Sequence, residues 1–509
     1  MWLAAAGLLL AAFASSVLAA SASIVDAVRA RVRSHEPEIL REYAELLALP
    51  NLASDPVGIR RNAEHIVAML EKRGVHARLL SGAGGPPAVY GELAVGAPKT
   101  VALYAHYDGQ PVTPAHWASP PWAPVLRTGR LGPGVKDVDL ATLVAPVGGE
   151  WRLFARSAAD DKAPIQAIVS ALDALTALRA RPAVNLKLLF EGEEEAGSPH
   201  LRAVLEANRD LLRCDAWLLC DGPVHQSRRM QLGFGARGVA TLELTLYGPA
   251  RAVHSGHYGN WAPNPALALA HLLAGLRDLD GRITIPGFYD EVRPPTAAER
   301  AALAVFPDTD AALRDELALP ATEAGGARLV ERILLPALNV RGLASGAIGD
   351  AAANAISTEA RASIDFRLVP DQTPDKVRAR LEAHLGVLGY HVVHAAPTFE
   401  ERRTTPRLVR LEWGDGYPAG RTAMDAAFSR RLLDVVGSAT GERPIALPTS
   451  GGSVPMYLFA EVFATPAVSL PIVNHDDDQH AANESLRIQN LWDGTAVFAA
   501  VFTGLGQGW

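Results

Sequence analysis

Five short polar clusters in this sequence carry side chains able to do chemistry. The first is His106-Tyr107-Asp108, directly after the apolar run Val101–Ala105. In extended chain, residues i and i+2 share a face, so Asp108 can hold the His106 ring. Asp160-Asp161-Lys162 stands just before a helical pattern. Glu191-Gly-Glu193-Glu194-Glu195-Ala-Gly197 follows a second apolar stretch, and Asp221 follows a third. The fifth cluster is the loop from His475 through Asp476, Asp477 and Asp478 to His480. Each cluster alone reads first as a surface turn, a solvated face or a helix cap. Carboxylates converging at strand ends, however, repel one another unless a cation sits among them. Two His plus three carboxylates are a ligand set for a pair of zinc or similar ions.

The elements that must position these residues alternate. Patterns for helices lie at 24–48, 57–74, 162–180 and 199–212, and patterns for buried strands at 101–105, 184–190 and 216–220. Strands separated by helices predict a mostly parallel sheet with helices on both faces, an α/β fold. In such a sheet ligands bind outside the carboxyl ends of the strands. The character changes near Gly238. Residues 239–247 and 361–368 alternate polar and apolar, as half-exposed antiparallel strands do, with helices at 264–277 and 374–387. The α/β pattern resumes with a helix at 424–437, strands near 444–447 and 467–472, and a helix at 486–505. The expected organisation is a leader at 1–20, a catalytic domain in two parts at 21–237 and 399–509, and an inserted α+β domain at 238–398. The Pro-, Ala- and Arg-rich stretch 280–340 gives no clear pattern.

Composition narrows the function classes. A chain of 509 residues, 49% hydrophobic and 20% charged, has ample core for two to four domains. The net charge of −7 argues against a nucleic-acid surface. Two cysteines, Cys214 and Cys220, exclude a disulfide framework and read as free buried thiols. The first charged side chain is Asp26, and Leu3–Leu18 is a Leu/Ala-rich run ending in small residues. That run resembles a secretory leader, although it opens without Lys or Arg. The expectation is an exported protein, periplasmic or secreted, and membrane-anchored if the leader stays uncleaved. No later stretch reaches membrane-spanning length, so the mature chain is not expected to insert in a bilayer.

The ordered motifs resemble the co-catalytic di-zinc exopeptidase and amidohydrolase family, which includes carnosinase-type dipeptidases, carboxypeptidase G, aminoacylase, acetylornithine deacetylase and succinyl-diaminopimelate desuccinylase. The resemblance rests on His106-Tyr-Asp108-Gly-Gln-Pro111, Ala159-Asp160-Asp161-Lys162 and Glu191-Gly-Glu-Glu194-Glu195-Ala-Gly197-Ser198. It continues through Asp221, His254-Ser255-Gly256, Asp365-Phe-Arg367-Leu-Val-Pro370, Gly451-Gly-Ser453-Val-Pro455 and His480-Ala-Ala-Asn483-Glu484. It implies a zinc-exopeptidase-like catalytic domain with an inserted lid and dimerisation domain, a homodimer, and two divalent ions per subunit, Zn2+ with Mn2+ or Co2+ as substitutes. It also implies that Asp160 bridges the ions, with His106 and Asp221 completing one site and Glu195 and His480 the other. Glu194 is then the general base toward the bridging water, and Asp108 holds His106. His254 would polarise the scissile carbonyl in the partner subunit's site, with Arg367, Asn354 and Ser453 as substrate contacts. The family's Gly-Arg-Gly before the bridging aspartate is Ala155-Arg156-Ser157 here, and Ala163 replaces a glycine after the lysine.

The implied activity is hydrolysis of dipeptides or short peptides with a free C-terminal carboxylate. The alternatives are an N-acyl-amino-acid deacylase and a periplasmic metal- or peptide-binding protein; Glu194, a base that a mere binder would not need, weighs against the second. Gly233-Phe-Gly235-Ala-Arg-Gly238 fits a dinucleotide-binding pattern but precedes a strand, not a helix, so no helix N-terminus awaits a pyrophosphate.

Overall fold

The computed structural model describes residues 24–81, 84–452 and 455–509. The chain divides into two compact units. The first runs up to Phe234 and takes in Thr422–Leu447 and Leu458–Trp509; the second is Gly235–Arg421 with Pro448–Tyr457.

The first unit is built on an eight-stranded sheet. Its strand order is His76–Leu80, Ala88–Leu93, Asn185–Glu191, Thr100–His106, Ala216–Leu219, Ala467–Ser469, Gln231–Gly233, Ile445–Leu447. Four central strands, from Asn185–Glu191 to Ala467–Ser469, run parallel. The run Val-Ala-Leu-Tyr-Ala at 101–105 is fully buried because a central parallel strand is covered on both faces. Helices Lys162–Ala177 and Ile488–Gly504 pack on each other and are buried on most of their surface, which suits their nearly unbroken apolar sequences. The helix expected over 24–48 is two: residues 24–33 are helical, and Glu36–Leu47 begins anew with Pro37 in its first turn. Cys214 and Cys220 are buried and free.

The second unit is a five-stranded sheet ordered Ala337–Ala344, Glu359–Leu368, Gly238–Tyr247, Leu408–Tyr417, His391–Val393. All neighbours are antiparallel except the last pair. Helices Pro265–Leu276 and Pro374–Val387 close one face, around a core that includes Leu242, Leu244, Leu272, Phe366 and Leu381. This unit extends past residue 398, where the inserted domain was expected to end. Strand Leu408–Tyr417 pairs with Gly238–Tyr247 and buries Val409 and Leu411 in the same core. The stretch 280–340 contains short helices at Ala297–Ala304, Asp310–Glu316 and Leu329–Arg332. Among the described residues no helix is long and apolar enough to cross a membrane.

Candidate functional site

The parallel strands of the first unit end in the polar clusters. His106 is the last residue of its strand and stands in register with Glu191, the last of the neighbouring strand. Asp221 lies two residues past Leu219. Asp160 and Asp161 precede helix Lys162–Ala177, and Glu194 and Glu195 lie in the short turn Glu194–Ala196.

These residues form two groups in which the ligand-type atoms all lie within 4.8 Å of one another: His106, Asp161 and Asp221, and then Asp160, Glu195 and His480. Asp160 links them. Its Oδ1 is 2.9 Å from His106 Nε2 and its Oδ2 is 3.1 Å from His480 Nε2. Glu195 Oε2 is 3.2 Å from His480 Nε2. Within the tail loop, His480 enters the group, while Asp476 is held by Arg152 at 2.6 Å and Asp477 caps the backbone of Gln479.

The electrostatics are those of a cation site. Burial pushes Asp221 up to about 7, and Asp160 and Glu195 add to it. Burial also raises Asp161, with Asp221 next to it, and raises Glu194, with Asp221 and Asp160 adding and His106 opposing. Asp161 Oδ1 is buried with no hydrogen-bond partner. Burial would raise Asp160 too, but His106, His480 and Gln479 outweigh it and hold it well below the usual carboxylate range. Asp160 and Glu195 push His480 up to about 10. Crowded carboxylates, two imidazoles and an orphaned buried oxygen fit a pair of divalent cations by donor type and charge.

Several supports are buried around the groups. Asp108 accepts the backbone N–H groups of Glu194 at 3.1 Å and Glu195 at 3.0 Å, and its Oδ1 lies 3.3 Å from His106 Nδ1. One carboxylate therefore orders both the glutamate turn and the imidazole. Glu484, fully buried, accepts from the backbone N–H of Ser157, Ala159 and Asp160 and from Arg156. Gln479 donates to Asp160 Oδ2 at 2.6 Å and Gln110 to Glu195 Oε2 at 2.7 Å. Asp161, Glu484, Gln110 and Gln479 have no role that is legible in the sequence alone. Asp161, Glu484 and Gln110 stand inside the motifs given above; nothing local marks Gln479.

The remaining expected residues belong to the second unit. Arg367 donates from Nε to Asp365 at 2.6 Å. Nearby, burial and then Arg367 lower the Arg237 guanidinium to about 10. Asn354 is exposed, and its carbonyl accepts from Ser255 N. His254 is exposed, with Nδ1 accepting from Gly256 N and its ring 4.5 Å from that of His257. Ser453 lies outside the described residues.

With this geometry in view, residues 102–503 match the model of peptidase family M20/M25/M40. The Beta-Ala-His dipeptidase of Homo sapiens is 26% identical over 438 residues, 83% of this chain and 78% of that one. A Cys-Gly metallodipeptidase of Schizosaccharomyces pombe is 25% identical over 450 residues, 85% and 86% of the two chains. Among solved structures, an M20 family metallo-carboxypeptidase from Sulfolobus solfataricus superposes with a TM-score of 0.75 at 28% identity, covering 92% of this chain and 99% of that one. The Cys-Gly metallodipeptidases are cytosolic enzymes, which overturns the expectation of an exported protein. That expectation rested on a Leu/Ala-rich run without basic residues at its start, and the leader read at 1–20 lies outside the described residues.

Proposed function

The chain belongs to peptidase family M20/M25/M40 and is a metallopeptidase, and from that premise we propose that it hydrolyses the peptide bond of dipeptides and short peptides with a free C-terminal carboxylate. The observation that supports this most is the meeting of two ligand groups at Asp160. His106, Asp161, Asp221, Asp160, Glu195 and His480 would hold two divalent ions, which we assign as zinc from the imidazole and carboxylate donors. When bound, such ions supply Lewis acidity toward a carbonyl and toward water.

The chain's own residues do the rest. Glu194 stands beside the ligands without being one of them, and its raised pKa suits a base that takes a proton from the attacking water and returns it to the leaving amine. Asp108 fixes that glutamate's backbone. Arg367, whose planar guanidinium can pair bidentately with a carboxylate, is assigned to the free C-terminus of the substrate, with Asn354 and Ser453 as further contacts. The second unit acts as lid and dimerisation unit of a homodimer, and His254 polarises the scissile carbonyl of the partner subunit's site. Both curated relatives above are named as dipeptidases, which favours peptide bonds over N-acyl bonds.

The test is a hydrolysis panel of dipeptides against N-acyl amino acids on metal-quantified protein. The expected result is about two ions per chain, turnover of dipeptides, and its loss on chelation. Turnover confined to N-acyl amino acids would make the enzyme a deacylase, and full activity in metal-free protein would sink the metal reading altogether.

A further inference from the structure

The second unit holds a cavity that the proposed reaction does not use. It measures about 780 Å3, within the ~300–1,000 Å3 of pockets that enclose small ligands. Helix Pro265–Leu276, the C-terminal end of helix Pro374–Val387, the end of strand Gly238–Tyr247 and residues 402–408 form its walls. Leu246, Leu272 and Leu388 give it an apolar side. Its basic groups are His271, His384, Arg402 and Arg407, and no Asp or Glu lines it, in a chain whose net charge is −7.

These groups differ in what they have left to give. Arg402 donates through one terminal nitrogen to the carbonyls of Gly248, Pro249 and Thr358, and its guanidinium lies 5.0 Å over the Tyr247 ring. It builds the wall and leaves its charge there. Both ring nitrogens of His384 are buried without a hydrogen-bond partner, so the wall carries unmet hydrogen-bonding capacity. Arg407 is exposed and gives one terminal nitrogen to Leu388 O at 3.0 Å. A guanidinium carries five donors in a planar fork, which leaves Arg407 able to grip a carboxylate.

We infer that this cavity binds a small organic carboxylate with an apolar body, the carboxylate on Arg407 and the body against Leu246, Leu272 and Leu388. Positive charge with no acidic partner selects the anion; the leucines and the volume select an apolar body over a bare inorganic ion.

The probe is 4-phenylbutyrate, titrated calorimetrically into the full-length, metal-loaded protein, with the neutral 4-phenylbutyramide as its match. The carboxylate should bind at least about tenfold more tightly than the amide. Arg407→Ala should erase that difference. Gly275 lines the cavity, and a Cβ there would meet nothing within 4 Å. Gly275→Leu should therefore fill the space and abolish binding, while leaving Tm and peptide turnover unchanged. Arg367→Ala separates this cavity from the substrate site: binding here persists in that variant, whereas binding at the substrate site is lost. No binding of phenylbutyrate at millimolar concentration, equal affinity for acid and amide, or binding indifferent to Gly275→Leu would each overturn the inference.

Discussion

Two adjacent glutamates, alike in type and held by the same aspartate, are asked to do different work. Glu195 touches His480 and Gln110 within a ligand group, whereas Glu194 is outside both groups. Glu194→Gln keeps size and polarity but cannot accept a proton, so turnover should fall by ~10²–10⁴-fold with metal content unchanged. Glu195→Gln replaces an anionic ligand with a neutral one. It should lower metal stoichiometry, and added metal should restore part of the activity. Metal rescue of Glu194→Gln instead would reverse the two assignments. Asp221 gives a pH signature. In the metal-free protein burial pushes it up to about 7. A carboxyl raised above its unfolded value of about 3.9 weakens the fold as pH climbs through its folded value. A cation requires the ionised form and competes with that proton at lower pH. The rise in Tm on adding zinc should thus be larger at about pH 8 than at about pH 6. Equal rises would mean that Asp221 is not a ligand.

At the scale of elements, the site depends on loops held by buried carboxylates. Glu484 spreads four hydrogen bonds over residues 156–160, each 2.8–2.9 Å, and so presents Asp160 to both groups. Burial raises its pKa, and Arg156 opposes that most directly. In Glu484→Gln the amide nitrogen cannot accept, which strands buried donors and leaves Arg156 without its anion. Breaking a buried pair this way costs ~3–5 kcal/mol. The denaturation midpoint should fall and metal affinity should fall with it; a variant as stable as the parent would show that the cradle is not needed. The contrast between His106 and Glu484 shows what the sequence makes legible. His106 can be read because an apolar strand runs straight into it, so local pattern alone places it at the carboxyl end of a buried strand. Glu484 lies 325 residues from Ala159, and no local pattern announces a bond across that separation. Gln479 and Gln110 are hidden for the same reason: a glutamine in a polar loop looks like any solvated residue until the fold closes around it.

For the molecule as a whole, the change of pattern near Gly238 marks the start of the second unit because continuous apolar runs give way to alternation where a two-face-buried sheet is followed by a half-exposed one. Its far boundary is obscured because strand Leu408–Tyr417 returns after a helix, Phe399–Thr404, that looks like a linker. The strand betrays itself through Val409 and Leu411, which belong to the second core only once they are paired with Gly238–Tyr247. The proposed dimer can be tested without knowing how the subunits meet. His254→Ala removes the proposed carbonyl-polarising group and Glu194→Gln the proposed base, so each homodimer should be nearly inactive. When the two variants are mixed and allowed to exchange subunits, half the dimers are mixed. If His254 serves the partner, the chain that keeps Glu194 receives an intact His254 from its neighbour, and one site in each mixed dimer works. Activity should recover to roughly a quarter of the parent value. If His254 serves its own chain, neither site in a mixed dimer has both residues, and activity stays at the level of the separate variants. The metal content of His254→Ala should match the parent throughout, because His254 belongs to neither ligand group.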